Sequence, residues 1–422
     1  MPVSANFDSS PTLDEIRMTA AERRATAGLA SIYGLRLLGM FIILPVFALY
    51  AETLPGGATH TLIGIALGAY GLTQALLQIP FGWASDKWGR KPVIYSGLAI
   101  LAVGSFIAAW APDIGWVIVG RCLQGAGAIS AAVIALTADL TRDSVRTRAM
   151  AVIGITIALT FAASLVAGPV LKALIGVPGI FALTGVLALG AMAVVHFAIP
   201  DPAQASPDRS IGRGQFVHVF RDTQLLRLNY GTFALHAALM ALFTQIPFAL
   251  RDNGLAAERH WIVYLPVLVL SILVMIPFVR HSDRPERGKV LLNGAVTVLL
   301  AAQLALAFSL QSLWALCIEL TLFFAALNLL EAILPALVSK CAPAEARGAA
   351  IGVNSSMQFL GAFAGAAAGG WLSEHVGGAS VFILGVTLTG MWLIATATMA
   401  APRTRFATNY PMGEVRWPQS TR

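Results

Sequence analysis

The chain has 422 residues, of which 57% are hydrophobic and only 12% charged, against about 25% charged in ordinary soluble domains. So apolar a chain lacks the polar surface a soluble protein needs, and an integral membrane protein is the default. The net charge of +7 would suit nucleic acid, but the placement of the bases, counted below, excludes that use. Cys122, Cys317 and Cys341 are odd in number and far apart, with no disulfide framework and no metal-ligand spacing. They read as small buried residues, and no metal is expected.

Residues 1–25 are polar and mixed in charge, with no apolar core before Ala25. They form a cytoplasmic segment rather than a cleavable signal peptide. A helix that crosses a bilayer needs about 20 apolar residues. The chain offers twelve such spans: 26–50, 60–84, 91–110, 114–138, 148–172, 178–199, 225–250, 260–280, 288–309, 313–338, 348–371 and 378–401. Between spans six and seven lies the longest internal polar segment, 200–224, with Pro200, Asp201, Pro202, Pro207, Asp208, Arg209 and Arg213. It reads as a cytoplasmic linker between two six-helix halves, 26–199 and 225–401. Residues 402–422 read as a cytoplasmic tail without a second domain.

With the N-terminus inside, cytoplasmic segments hold 23 of the 28 Lys and Arg residues, and the outer loops hold only Lys172, Arg251 and Arg259. Bases gather on the cytoplasmic side of membrane proteins, so both termini are predicted there and the span count is even. The same bias accounts for the positive charge without nucleic acid.

The polar turn Ser85-Asp86-Lys87-Trp88-Gly89-Arg90-Lys91 is short, so spans two and three must be antiparallel neighbours. With Pro80-Phe81 before it and Val93 after it, the pattern returns 197 residues later as Pro277-Phe278, Ser282-Asp283-Arg284, Arg287 and Val290. That shift is close to half the chain and predicts a duplicated architecture. The second copy has Glu286 where Gly89 stands, which marks the first copy as the better candidate for a working gate.

Two six-helix halves in a parallel repeat match the major facilitator plan, in which the halves rock about a site near the midplane. The motifs agree. Gly82-Trp83-Ala84-Ser85-Asp86-Lys87-Trp88-Gly89-Arg90-Lys91 resembles motif A of the major facilitator superfamily, and Arg121-Cys122-Leu123-Gln124-Gly125-Ala126-Gly127-Ala128 resembles motif B on span four. Arg36-Leu37-Leu38-Gly39-Met40-Phe41 leading to Leu44-Pro45 resembles the first helix of drug exporters. Within the superfamily the chain is most similar to YajR-type proton-driven drug exporters. The residues carrying that likeness are Gln78 to Gly82, Asp139-Leu140-Thr141-Arg142, and Asn328-Leu329-Leu330-Glu331-Ala332-Ile333-Leu334-Pro335. The exporter motif C is only partial: Ser164 to Pro169 fits loosely, but Lys172-Ala173 replaces its Gly pair. The resemblance implies an all-helical membrane fold of twelve spans in the bacterial inner membrane.

By this resemblance Asp86, Arg90 and Asp139 would form an ion-pair gate, with Gly82 and Gly89 in the motif and Asp86 also facing the N-terminus of span eleven. A solvated positive-inside anchor is the plainer reading, and it is preferred for Lys87 and Lys91. Arg121 lies about seven residues into span four, where a charge is costly and must face the protein interior. By the motif B likeness it would tune protonation of a nearby acid or close a polar network. Arg36, near the middle of span one, lines the central cavity or pairs with a carboxylate. Glu331 is a lone carboxylate inside span ten, where desolvation favours its neutral form and so suits proton coupling. Glu319, twelve residues earlier, is about 18 Å away along the axis and turned aside, so the two form no dyad. His236 in span seven is a candidate proton carrier or a hydrogen-bonded structural residue.

Candidates for the substrate cavity are Met40, Phe41, Tyr70, Gln74, Phe243, Gln245, Asn328, Asn354 and Gln358, a mix of rings, thioether and amides that suits bulky apolar or cationic solutes. Gly361, Gly365, Gly369 and Gly370 on span eleven, with Ser164 and Gly168 on span five, are predicted as pliable seams between the halves or as plain helix packing.

No P-loop pattern is present, so ATP drive is not expected. The outer loops are too short to hold a catalytic cluster, so the chain is not expected to be an enzyme. The expected function is proton-coupled export of bulky drug-like or metabolite molecules by a monomer, with the proton gradient as energy source and no cofactor. The alternative is a symporter importing a sugar or organic acid.

Overall fold

The computed structural model describes residues 18–56, 58–201, 219–281, 288–343 and 346–399. The N-terminal segment before residue 18, most of the linker, the second copy of the turn around Asp283, Glu286 and Arg287, and the tail lie outside the described residues. The described residues are helical with no strand.

Ten stretches are long and apolar enough to cross a membrane. One of them, Asp143–Ala198, is two spans in one: its helix turns at Gly176, where φ is +68°, just before Pro178. Arg347–His375, rich in Gly, Ala and Ser, is the remaining span. Twelve spans result, and their bounds follow the sequence reading to within a few residues.

Three breaks matter for function. Span one is a helix over Ala20–Phe41 and a second over Leu44–Ala51, with Pro45 in the first turn of the second piece. Proline fits there because its missing N–H would have no partner in a first turn anyway, and its ring would clash with a helix continued from before. Span four is Ile114–Ala126 and then Ser130–Asp139, interrupted around Gly127. Span two, His60–Trp88, and span three, Arg90–Ala109, are joined by Gly89 alone, at φ +95°. Only glycine adopts that backbone without strain, so this residue sets the tight turn.

The spans assemble as two six-helix halves. Span five packs on span one, and span eleven on span seven. A Cβ on Gly168 would strike the Ile42 carbonyl of span one, and a Cβ on Gly365 would strike the Ala237 carbonyl of span seven. The two glycines are 197 residues apart, so the repeat is visible as one close approach made twice. Of the two readings, seams between the halves or plain helix packing, Gly361, Gly365 and Gly168 take the second and pack helices within a half.

The seam between halves lies on a different face of span eleven. Gly64, Gly68 and Gly71 of span two rest on the backbone of span eleven between Phe359 and Gly370. At the end of the bundle opposite the Gly89 turn, further bonds cross the seam. His60 Nδ1 meets Ser373 Oγ at 2.8 Å, Thr61 N–H donates to Glu374 at 2.9 Å, Lys172 pairs with Glu258 at 3.0 Å and Arg251 with Glu52 at 2.6 Å. The molecule is therefore closed at the end opposite the basic turn.

Candidate functional site

At the basic end, Arg90 joins three helix ends. Its guanidinium bonds to Asp86 one turn back, to Ser85 Oγ at 2.8 Å, and to Asp139 at the end of span four at 3.2 Å. Ser85 in turn donates to the Gly82 carbonyl. The expected gate triad is thus assembled, inside one half. The Asp86 carboxylate lies on Arg90, in its own half. Lys91 is not solvated as expected: it pairs with Asp201 at 2.8 Å. Lys87 lies 5.0 Å over the exposed Trp83 ring.

Sequence reasoning missed Glu22. It closes a capping box with Thr19 at the start of span one and accepts from the backbone N–H, Nε and Nη2 of Arg142 at the start of span five. One carboxylate so holds two helix starts together, three residues from Asp139. The Thr-x-x-Glu pattern was the available signal.

Inside the N-terminal half, both internal arginines are fully buried. Arg36 bonds to Gln74 Oε1, to Ser130 Oγ at 2.6 Å and to the Gly127 carbonyl at 3.2 Å. At the break of span four that carbonyl accepts from the Ile129 N–H at 2.8 Å as well as from Arg36. Gln74 passes its own N–H to Gln78 at 2.7 Å. Arg121 bonds to Gln124 at 2.8 Å and reaches the Ala66, Gly39 and Leu67 carbonyls at 3.4–3.5 Å. Gln124 continues to Ser105 at 2.8 Å. The Tyr70 ring lies under both guanidinium groups, 5.8 Å from Arg36 and 5.0 Å from Arg121. Arg36 therefore neither lines a cavity nor pairs with a carboxylate. It and Arg121 are hubs of neutral acceptors, supplied by amides, a hydroxyl and backbone carbonyls; for Arg121 this is the polar network that was one of its two readings.

In the C-terminal half the lone acid has a partner. His236 Nε2 is 2.9 Å from Glu331 Oε1. The other ring nitrogen, Nδ1, faces the Thr232 carbonyl at 2.9 Å. A carbonyl only accepts, so Nδ1 carries a hydrogen. The contact between Nε2 and Oε1 then needs one proton, held by either group. Glu331 is 38% exposed and His236 only 9%, so the carboxyl is the accessible member. Asn354 braces the same turn, donating to Thr232 Oγ1 at 2.8 Å and Asn229 at 3.1 Å. Asn328 donates to Ser271 at 3.2 Å. As expected, Glu319 is no partner of Glu331; it accepts from Ser309 Oγ.

A row of rings covers this pair. Phe41 meets Phe161 at 5.1 Å, Phe161 meets Phe324 of the other half at 6.1 Å, and Phe324 meets Phe243 at 6.5 Å. Phe243 and Phe324 each lie seven residues beyond His236 and Glu331 toward the closed end, about 10 Å at the helix rise, and on the same faces. The row therefore separates the pair from that end.

The predicted cavity is accordingly redrawn. Met40, Phe41, Tyr70, Gln74 and Phe243 are buried in packing or networks. Gln245 is at the closed end, accepting from Ser373 and lining a cavity of about 440 Å³ with Asp252, Asn253 and Gln311. Glu331, Asn328 and Gln358 are partly exposed, and Asn354 is buried beside them.

The family model of the Major Facilitator Superfamily matches residues 29–279 and 231–414. The chain belongs to the Major Facilitator Superfamily. It is 42% identical to the inner membrane transport protein YajR of Escherichia coli over 392 residues, covering 92% of this chain and 86% of that protein. It is 28% identical to the multidrug resistance protein MdtH of Cronobacter sakazakii over 355 residues, covering 80% and 84%. Among solved structures, a bacterial homologue of the human lysosomal transporter Spinster superposes with a TM-score of 0.71 at 12% identity, covering 90% of this chain and 98% of that one. The superfamily fold agrees with the twelve spans, and the chain is a Major Facilitator Superfamily transporter.

Proposed function

We propose that the protein is a proton-coupled exporter of the bacterial inner membrane that works by alternating access. The observation that carries the reading is the His236–Glu331 pair, one proton on two groups, with its carboxyl accessible and a ring layer beyond it. A solute that displaces the proton, or a proton that displaces the solute, changes the charge of this site. That change is the differential interaction an exchange cycle needs between its two states. The excess of bases at the Gly89 end assigns that end to the cytoplasm, so the described state is closed to the outside. Arg90, held by Asp86 and Asp139, would then set how the inner mouth closes. The name of the similar MdtH protein favours export over import.

The test is proton release. Purified protein in weakly buffered solution with a pH dye is titrated with a panel of dyes and metabolites. About one proton released per solute bound, and none from Glu331→Gln, supports the reading. Solute binding with no proton released by the unsubstituted protein overturns it.

A further inference from the structure

At the closed end, the His60 ring of one half is fixed by the other. It stacks on Phe248 of span seven, 8° from parallel with centroids 4.8 Å apart. Its Nδ1 lies 2.8 Å from Ser373 Oγ of span eleven. Ser373 gives its one hydrogen to Gln245 Oε1 at 2.9 Å, so Nδ1 is the donor to Ser373 and carries the hydrogen of the neutral ring. Nε2 is then a bare lone pair. It faces Glu52 Oε1 at 3.9 Å. The other carboxylate oxygen, Oε2, accepts from Arg251 of span seven at 2.6 Å. Two lone-pair atoms thus confront each other across a gap too long for a hydrogen bond, which extends to about 3.2 Å. An ion with bonds of about 2.0–2.2 Å to nitrogen and oxygen fits between them. Both side chains are about one-third exposed, so water can complete the coordination.

We propose that His60 Nε2 and Glu52 Oε1 bind a zinc-type dication from the outside, and that the ion holds the outer end closed. Imidazole with carboxylate suits zinc, whereas magnesium and calcium prefer oxygen alone. A histidine ligand commonly donates its other N–H to a fixed partner, and Ser373 is that partner here. The local charge agrees. Around the gap, Glu52, Asp252 and Glu374 stand against Arg251 alone: Asp252 pairs with Arg251 at 3.2 Å, and Glu374 takes the Thr61 N–H at 2.9 Å. Both ligands belong to the N-terminal half, and the groups that orient them, Phe248, Arg251 and Ser373, to the C-terminal half. The site is therefore complete only while the halves are together. A ligand that binds one state better shifts the molecule toward it, so external zinc slows any cycle that must open at this end. Glu52 and His60 flank the loop between spans one and two without a metal-ligand spacing, which is why no metal was expected from the sequence.

The experiment is a calorimetric titration of the tag-free full chain with zinc chloride, joined to flux of a transported dye in right-side-out proteoliposomes. One ion per chain is expected, weakened at least tenfold by His60→Gln and by Glu52→Gln. Ser373→Ala keeps both ligands but frees the ring, and is expected to weaken binding about tenfold. External zinc is expected to slow flux several-fold, magnesium at the same concentration to leave it unchanged, and His60→Gln to be insensitive to zinc. Zinc binding that persists in His60→Gln, or that Ser373→Ala leaves unchanged, is an adventitious ion only and overturns the site. Zinc bound through His60 with normal flux overturns the lock. The titration does not involve Glu331, so loss of the proton reading would leave the site standing.

Discussion

Each interior charged residue has a role set by what its neighbours can accept or donate. The Thr232 carbonyl takes Nδ1 of His236, which leaves Nε2 for the contact with Glu331. His236→Gln leaves Glu331 without that partner but keeps a side chain of similar polarity. It is expected to lower gradient-driven flux at least tenfold while far-UV circular dichroism stays helical. Unchanged flux would make the histidine structural only. Arg90 is different, because both its carboxylate partners are partly exposed, and such pairs are worth little individually. Asp139→Asn is therefore expected to leave the melting temperature within a few degrees but to alter the transport rate several-fold. A large fall in melting temperature with normal rates would assign the triad to stability instead. The residues themselves were visible in the sequence, but their partners were not. Glu331 reads as a lone acid because His236 is in another span, and contacts between spans leave no local pattern. Arg36 suggested a cavity or ion-pair role because one of the oxygens it uses, the Gly127 carbonyl, comes from a helix break that hydropathy cannot locate, whereas Arg121 lies in the polar network that was one of its two readings.

Helices in this molecule are held by close approach more than by charge. The links across the seam at the closed end include Arg251–Glu52 and Lys172–Glu258, both partly exposed, worth about 0.2–1 kcal/mol each. Inserting methylenes into well-packed contacts costs about 1–3 kcal/mol, occasionally more, and a Cβ on Gly64 or Gly68 would meet span eleven backbone. The glycine seam thus outweighs the ion pairs. Gly68→Leu is expected to shift the molecule away from the state closed at the outer end, read as increased thiol labelling of a cysteine placed at Thr61. Arg251→Gln is expected to change that labelling less than twofold. The opposite ranking would place the closure in the charges. Gly89→Ala should cost about 1 kcal/mol or more through its positive φ, seen as a lower melting temperature. The spans were legible from their length and hydropathy, and Gly89 from its place between two apolar runs. The direction of the glycine stripes was not, because a small residue marks close contact without saying which helix makes it.

At the scale of the whole molecule, two halves meet where span two rests on span eleven and again where spans five and eight come together, and they are closed at the end away from the basic turn. Beneath that closure the Phe41–Phe161–Phe324–Phe243 row crosses from one half to the other, and the His236–Glu331 pair lies below it. Duplication was readable from the 197-residue shift because charged turns repeat with their spacing intact. The state of closure was not readable, since one sequence must serve both ends of the cycle. The central claim is that the proton on His236–Glu331 drives net transport. Its most direct measurement compares two modes in proteoliposomes for a dye the unsubstituted protein moves: accumulation driven by a pH gradient, and dye-for-dye exchange at equal pH. Glu331→Gln is expected to lose the accumulation at least a hundredfold and to keep exchange within a few-fold of normal, independent of pH. Gradient-driven accumulation by Glu331→Gln at the normal rate would contradict the account.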